Sequence, residues 1–351
     1  MYVNESVKNT KRIFPMQGRY GYLRLDMNEN PEGLPNEFVR KVLAEITPEF
    51  LATYPEPNRF TQKYADYIGL DVSQVLATNG SDMAIRYLLE VFGERGKDVV
   101  TVSPSFEMYW VNCSILGLNH VPISYDRDLC IDTNNILNAI TADTRIVVLL
   151  NPNNPTGDAY SIENAERIVK RAAEVGALVI IDEAYHYFYE QSFVGFVKKY
   201  TNVAVLRTFS KLFSLPACRL GVIIASPKIV EYVKNAKLTF DVNSIALLFG
   251  ERILDEPPLI ETLIKTERDG KAYAVKQLQD RGYDYRECKG NYILIRTNKE
   301  PKQVTESLEK EHKILVHAYS NELLREYIRI TTGSVKVMQT FFKAFLAIDG
   351  R

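Results

Sequence analysis

The sequence lacks an excess of charge of either sign. Its 351 residues include 43 lysines and arginines and 44 aspartates and glutamates, which leaves a formal net charge of −1. Binding along a nucleic-acid backbone requires a clustered basic excess, so this balance argues against nucleic acid as a partner. A local basic pocket for a small anion is still compatible with it.

Long apolar runs and a leader-like start are also missing. No run of about 18 apolar residues occurs, so we expect no membrane-spanning segment. The opening stretch, MYVNESVKNTKRIFP, lacks the apolar core of a signal peptide. We therefore expect a cytoplasmic protein that does not bind a membrane.

Cysteine and histidine are scarce and scattered. The four cysteines are Cys113, Cys130, Cys218 and Cys288. They form no C-x-x-C pair, and the four histidines are dispersed, so the spacing does not predict a metal site. We expect free buried thiols in a reducing compartment. A G-x-G-x-x-G motif after a strand is absent, which disfavours a nicotinamide-dependent dehydrogenase.

Short runs of Val, Ile and Leu alternate with amphipathic stretches through the middle of the chain. Strands are predicted at 75–78, 98–102, 145–150, 178–182, 203–207 and 221–225. Nearly continuous apolar strands are typical of a sheet buried on both faces. Ser161–Val175, which begins with a capping serine, predicts a helix between two of them. The alternation predicts an α/β fold with a mostly parallel sheet and helices on both faces.

The ends of the chain have a different composition. We predict an N-terminal arm over residues 1–35, a large domain over 36–250 and a smaller α+β domain over 251–351, which the arm joins. In the smaller domain, helices are predicted at 256–281 and 301–312, and strands at 291–296 and 327–331.

Polar residues follow the predicted strands of the large domain, where open α/β sheets bind ligands. Asp182 ends one strand after four apolar residues, so we expect its carboxylate to be half-buried and to need a positive partner. Lys211 lies just past another strand. A lysine that forms a Schiff base with pyridoxal phosphate and an aspartate that faces its ring nitrogen are a known combination. The segment 151–157 follows a third strand and holds more Asn and Pro than a turn requires.

Several short motifs occur in one order along almost the whole chain. They are Leu25–Pro31, Tyr54–Pro57, Asn79–Asp82, Asn153–Gly157, Asp182–Tyr185, Ser210–Lys211, Arg219 and Tyr327–Thr331. With these motifs the chain resembles the fold-type I pyridoxal-phosphate aminotransferases, the aspartate aminotransferase superfamily. Within that superfamily it is most similar to the histidinol-phosphate aminotransferase subgroup.

The resemblance implies roles for the residues that would surround the cofactor ring. Lys211 would form the Schiff base and move the α-proton, and Asp182 would pair with the ring nitrogen. Tyr185 and Asn154 would both donate to the phenolic oxygen, which favours its charged form. Phe106 would stack on the ring, where the family often has a tyrosine.

The resemblance also implies a phosphate site and a dimer. Ser81 and Asp82 would offer backbone N–H groups at a helix N-terminus. Ser210 would add a hydroxyl and Arg219 a guanidinium. Tyr54 would reach the phosphate of the neighbouring subunit's cofactor, which implies a homodimer with shared active sites.

Substrate residues follow from the same resemblance. Arg329 lies between two isoleucines, so its charge must be paired, and it would bind the substrate α-carboxylate or a substrate phosphate. Asn154 would also contact substrate, and Tyr20 in the arm would close over it. The implied activity is a ping-pong transfer of an amino group between an amino acid or amino-alcohol phosphate and a 2-oxo acid.

Five residues depart from the subgroup pattern and leave the substrate open. They are Met83, Pro216, Cys218, Phe240 and His317. His317 stands where the subgroup usually has a phosphate-binding Arg, and Phe240 stands where it has a Tyr. An aminotransferase for aromatic or other amino acids and a decarboxylase of a phosphorylated amino acid are therefore alternatives. A non-catalytic regulatory module is disfavoured, because the arm is too short for a DNA-binding domain and the cofactor residues are intact.

Overall fold

The computed structural model describes residues 1–8, 10 and 17–350, so residues 9 and 11–16 of the predicted arm lie outside the described residues. The α-helices in the described part are α1 (Glu5–Lys8), α2 (Asn36–Leu43), α3 (Pro48–Ala52), α4 (Asn58–Ile68), α5 (Gly80–Phe92), α6 (Met108–Leu116), α7 (Thr133–Ala139), α8 (Ile162–Glu174), α9 (Phe196–Lys199), α10 (Pro227–Ala236), α11 (Ser244–Leu254), α12 (Pro257–Gln279), α13 (Pro301–His312) and α14 (Val335–Asp349). The strands are β1 (Leu23–Arg24), β2 (Val75–Asn79), β3 (Asp98–Ser103), β4 (Asn119–Ser124), β5 (Thr144–Leu150), β6 (Leu178–Asp182), β7 (Val203–Thr208), β8 (Leu220–Ala225), β9 (Tyr285–Glu287), β10 (Tyr292–Arg296), β11 (Ile314–Leu315), β12 (His317–Ala318) and β13 (Tyr327–Thr331).

Seven strands form the central sheet in the order β2-β8-β7-β6-β5-β3-β4. Only β8 runs against its neighbours β2 and β7, and the other six strands point the same way. The prediction of a mostly parallel sheet is therefore confirmed. The sequence patterns missed β4, an edge strand whose Pro122 and alternating exposure interrupt the apolar signal.

The two faces of this sheet carry separate apolar cores. Along β6, Val179 and Ile181 belong to one core and Leu178 and Ile180 to the other. This alternation follows from the two-residue period of a strand, and it explains why a strand covered on both faces is apolar throughout. Helix α8 covers one face, and Ser161 caps it by accepting from an amide in the first turn.

The C-terminal region forms a four-stranded antiparallel sheet in the order β12-β13-β10-β9, with α12 and α14 packed together beside it. Strand β1 pairs in parallel with β11, and Leu25 is buried in the core of this region. The predicted domain boundaries stay predictions. Helix α11 continues past residue 250, and Ile260 and Leu263 of α12 pack into the large core.

All four cysteines are free thiols, but they differ in exposure. Cys113 and Cys288 are buried, whereas Cys130 is exposed, so the prediction of buried thiols is wrong for Cys130 because it lies in a surface loop before α7. Among the described residues, no helix is both long enough and apolar enough to cross a membrane, and no group of three His, Cys, Asp or Glu is placed to hold a metal.

Candidate active site

Most of the predicted site residues lie at the carboxyl edge of the central sheet. Strands β2, β5, β6 and β7 are parallel to one another and end at this edge. The motifs at 79–82, 151–157, 182–185 and 208–211 directly follow these ends. Parallel topology therefore brings together residues that are far apart in the sequence.

Asp182 is more deeply buried than the half-buried position we expected. The residue is only 2% exposed, and its Oδ2 accepts a hydrogen bond from Tyr109 Oη at 2.8 Å. Its Oδ1 accepts from the amide of Ala184 at 3.1 Å. Burial raises the pKa of Asp182 to about 6, although both hydrogen bonds oppose this increase. No described cation forms an ion pair with the carboxylate, so it offers a place for a positively charged group.

Sequence reasoning missed Tyr109. Its ring is buried, and its pKa is raised well above 10 by burial and by the Asp182 carboxylate. The only sequence signal is its position three residues after Phe106, at the start of α6.

Lys211 and Tyr185 lie close together. Lys211 Nζ is 5.6 Å from the centre of the Tyr185 ring and donates to the carbonyl oxygen of Met27 at 2.9 Å. Tyr185 packs edge-on against Tyr292, with ring centres 5.4 Å apart. Its hydroxyl accepts from Asn28 Nδ2 at 3.0 Å. An amine and a phenol therefore lie beside one another at the end of the parallel strands.

Arg329 joins the C-terminal region to this edge. The residue is 7% exposed, its Nη1 donates to Asn154 Oδ1 at 2.6 Å, and its Nη2 donates to the carbonyl oxygen of Asp26. The guanidinium carbon lies 5.7 Å from the centre of the Tyr292 ring. Arg329 makes no ion pair with any described carboxylate, and its Nε has no hydrogen-bond partner there. The predicted pairing is therefore made by neutral oxygens, and the positive charge can still bind an anion.

A second group of predicted residues lies at the start of α5 and contains an Arg–Asp ion pair. We call Gly80, Ser81, Asp82, Ser210 and Arg219 the phosphate cluster. Arg219 Nη2 donates to Asp82 Oδ2 at 2.8 Å, and its Nη1 donates to Ser210 Oγ at 3.4 Å. Arg219 has a φ of +58°, a left-handed conformation that non-glycine residues rarely adopt. Such backbone strain is often found at functional sites.

The backbone around this cluster is shaped for close approach. A Cβ on Gly80 would lie 2.7 Å from Arg219 Nη2, and a Cβ on Gly221 would lie 2.6 Å from the Ser81 nitrogen. The first amides of α5 have no partner within the helix, which favours an anion there. Ser210 Oγ already accepts from Thr208 and from the guanidinium, so its own proton can be donated to an anion.

Taken together, these residues fit pyridoxal phosphate. The buried carboxylate of Asp182 suits the positively charged ring nitrogen, and the phosphate cluster supplies donors for a phosphate. Asn154 accepts through its oxygen, so its NH2 group can donate to a bound molecule. Lys211 supplies the amine that the cofactor's aldehyde requires.

Three predicted residues are not seen in contact with the other site residues of the same chain. Tyr20 is 95% exposed and Tyr54 is 71% exposed. Tyr54 instead stacks on the exposed ring of Phe240, with centres 4.3 Å apart. Phe106 is partly buried against the core on one face of the sheet. The roles implied for these residues stay predictions.

His317 lies directly beside Arg329, since the two are paired across β12 and β13. Its ring packs edge-on against Tyr319 at 4.6 Å. His317 is exposed, but loss of hydration at its ring and then the charge of Arg329 lower the pKa of His317 to about 4. A neutral imidazole therefore stands next to the guanidinium at neutral pH.

Comparison with known proteins gives a consistent result. A family model described as aminotransferase class I and II matches residues 21–345. A histidinol-phosphate aminotransferase from Clostridium novyi (strain NT) is 33% identical over 327 residues, covering 92% of this chain and 90% of that protein.

Two solved structures share the fold. The histidinol-phosphate aminotransferase from Sinorhizobium meliloti, in complex with pyridoxal-5'-phosphate, has a TM-score of 0.83 at 20% identity, with 93% of this chain and 90% of that chain covered. The L-threonine-O-3-phosphate decarboxylase from Porphyromonas gingivalis has a TM-score of 0.76 at 21% identity, with coverage of 93% and 98%. At such identities the likeness shows the fold alone.

Proposed function

Because this chain belongs to the class I and II aminotransferases, which are pyridoxal-phosphate-dependent transaminases, we propose that it transfers the amino group of histidinol phosphate to a 2-oxo acid. The reaction runs in two halves, and the donor leaves as its carbonyl product before the acceptor enters. The observation that carries the proposal is Asp182, whose buried carboxylate has no described cation to pair with. The choice of donor is supported by the relative that is 33% identical.

The cofactor, when bound, supplies an electron sink that stabilises negative charge on the carbon bearing the amino group. Asp182 keeps the ring nitrogen protonated, because a positive charge there compensates its own buried negative charge. Lys211 would supply the amine that holds the cofactor and, once released, the base that moves the proton of the carbon bearing the amino group.

Arg329 and its neighbours would orient the substrate. The guanidinium makes no ion pair with a described carboxylate, so its charge would bind the carboxylate or phosphate of the substrate. Asn154 is fixed by its bond to Arg329, so the residue that binds the anion also positions a donor near the reacting group. Tyr185 donates to the phenolic oxygen, and the phosphate cluster anchors the other end of the cofactor.

We also propose that the enzyme is a homodimer in which Tyr54 contacts the partner's cofactor phosphate. The support is the exposed aromatic pair that Tyr54 forms with Phe240. Exposed apolar surface of this kind is typical of interaction sites. A cytoplasmic location stays a prediction.

Half-reactions with the loaded enzyme test the donor. The protein is mixed separately with histidinol phosphate, glutamate, phenylalanine and threonine phosphate, and conversion of the cofactor to its amino form is followed by absorbance. Rapid conversion by histidinol phosphate is expected. If another donor reacts and histidinol phosphate does not, the choice of donor is wrong, and His317 and Phe240 are the first residues to exchange.

The same mixtures separate amino transfer from decarboxylation when the carbon dioxide and the keto product are also measured. Release of carbon dioxide from threonine phosphate without formation of a keto product would support the decarboxylase alternative. An absence of any visible cofactor band in the loaded protein would contradict the whole assignment.

A further inference from the structure

The segment at 26–28 belongs to the Leu25–Pro31 motif, and neither the family resemblance nor the proposed function gives it a role. It contacts three site residues in succession. The carbonyl oxygen of Asp26 accepts from Arg329 Nη2, the carbonyl oxygen of Met27 accepts from Lys211 Nζ at 2.9 Å, and Asn28 Nδ2 donates to Tyr185 Oη at 3.0 Å. A strap from the N-terminal part of the chain therefore lies across the amine, the phenol and the guanidinium.

Asn28 is the most firmly held residue of this strap, residues 26–28. It is 1% exposed and has a φ of +56°, a left-handed conformation in which asparagine is enriched but still uncommon. Its amide donates to Thr331 Oγ1 at 2.9 Å, and its carbonyl oxygen accepts from Asn291 Nδ2 at 3.1 Å. A strained and fully bonded backbone of this kind is often found where a side chain must point in one direction.

The surrounding bonds determine which end of the Asn28 side chain faces Tyr185. Thr331 Oγ1 accepts from the Asn28 amide and donates its single proton to Asn28 Oδ1 at 3.4 Å. The amide nitrogen Nδ2 is therefore the atom that faces the Tyr185 hydroxyl. An amide NH2 group can only donate, so Tyr185 Oη accepts this bond and its own proton is free for another acceptor.

We propose that Asn28 is a positioning residue that reserves the hydroxyl proton of Tyr185 for the phenolic oxygen of the cofactor. The inference rests on the role of Tyr185 in the proposed function. With Asn28 as a donor, the phenol cannot donate its proton to the strap, so it donates toward the cofactor. An acceptor at the same position would compete for that proton.

Asn28→Asp tests this in the full-length holoenzyme, because it keeps the shape of the side chain and replaces the donor by an acceptor. The readout is the pH titration of the visible absorbance band of the bound cofactor. A donor to the phenolic oxygen stabilises its charged form and lowers the midpoint of this transition. Loss of the Tyr185 bond is expected to raise the midpoint by about one pH unit, a roughly tenfold change in the equilibrium.

The added charge of Asn28→Asp also acts through space, so the variant is repeated in a Tyr185→Phe background. If Asn28 acts through the Tyr185 hydroxyl, Asn28→Asp shifts the midpoint in the Tyr185→Phe background by less than half of its shift in the wild-type background. An equal shift in both backgrounds, or no shift in either, overturns the proposal. If Tyr185→Phe alone leaves the midpoint unchanged, the failure lies in the role given to Tyr185.

Two further variants control for the change in net charge and for a failure of Asn28→Asp to fold. Asn138→Asp lies on the exposed face of α7 and matches the change in net charge, so it is expected to leave the midpoint unchanged. Asn28→Gly tolerates the left-handed backbone and removes the side chain. It is expected to raise the midpoint by about a third as much as Asn28→Asp. The Tyr185 hydroxyl is then no longer oriented by Asn28, but no new acceptor competes for its proton. No shift with Asn28→Gly counts against the proposal even if Asn28→Asp fails to fold.

Discussion

Replacing Asp182 by asparagine measures how much the buried carboxylate charge lowers the stability of the cofactor-free protein. Burial raises the pKa of Asp182 from 3.8 to about 6. That difference is about two pKa units, which corresponds to about 3 kcal/mol of unfavourable charging in the cofactor-free protein. The value is an upper bound, since water that enters the site reduces it.

The sign follows from the order of the two pKa values. The folded protein holds the Asp182 proton more tightly than the unfolded chain, so its stability falls as the pH rises from about 4 to about 6 and stays lower above that range. Asparagine carries no charge and avoids this loss. It can also keep both hydrogen bonds, because its oxygen accepts from Ala184 and its nitrogen donates to Tyr109.

Denaturant unfolding of the cofactor-free protein provides the assay. At about pH 7.5, Asp182→Asn is expected to be more stable than wild type by up to about 3 kcal/mol, and the difference is expected to close near pH 4. Pyridoxal phosphate is then expected to stabilise wild type more than the variant, because only wild type gains a charge partner. A cofactor-free variant no more stable than wild type at pH 7.5 would refute the reasoning.

Three other substitutions test separate parts of the site. Lys211→Ala is expected to bind pyridoxal phosphate without turnover, and substantial residual amino transfer would defeat the assignment. Tyr109→Phe removes a hydrogen bond that lowers the pKa of Asp182, so cofactor binding should weaken most below about pH 7, as followed by titration at several pH values. Gly80→Ala places a methyl group 2.7 Å from a guanidinium nitrogen of the phosphate cluster, whereas Gly282, with a φ of +65° against +72° at Gly80, has no atom within 4 Å of an added Cβ. Both should cost about 1 kcal/mol of stability, but only Gly80→Ala should weaken cofactor affinity, by roughly tenfold; equal losses of affinity would contradict this.

Local patterns predicted the elements whose signals are complete within a short stretch. Residues 178–182 and 301–312 were bounded correctly, since one is continuously apolar and the other has a proline at its first position. The reversed direction of β8 could not be predicted, because its residues are as apolar as those of the parallel strands. Strand direction depends on how the connecting chain returns, which a single run of residues does not encode.

The same limit applies to the site. Lys211, Asp182 and Arg219 are predicted as site residues because each stands at a strand end or in a motif of the family that the chain resembles, and their roles stay predictions. The hydrogen bond between Asn28 and Tyr185 joins residues 157 positions apart, and the bond between Tyr109 and Asp182 joins residues 73 apart. Neither contact can be predicted from the local sequence, since both depend on how the N-terminal strap and α6 pack onto the ends of the parallel strands.

These distant contacts hold two buried charged groups that make no ion pair within the described part of the chain. Asp182 is buried beneath Tyr109 and a backbone amide, and Arg329 is held by an amide oxygen and a carbonyl oxygen. Hydrogen bonds fix both groups in place. Burial still raises the pKa of Asp182, so its negative charge is compensated only in part, whereas the surroundings of Arg329 raise the pKa of the guanidinium and so favour its positive charge. A bound ring nitrogen would complete the compensation at Asp182, and the positive charge of Arg329 can bind a substrate anion. Stability and cofactor binding should therefore be coupled at Asp182, and substitutions that neutralise its carboxylate should raise the stability of the cofactor-free protein while weakening the complex with the cofactor.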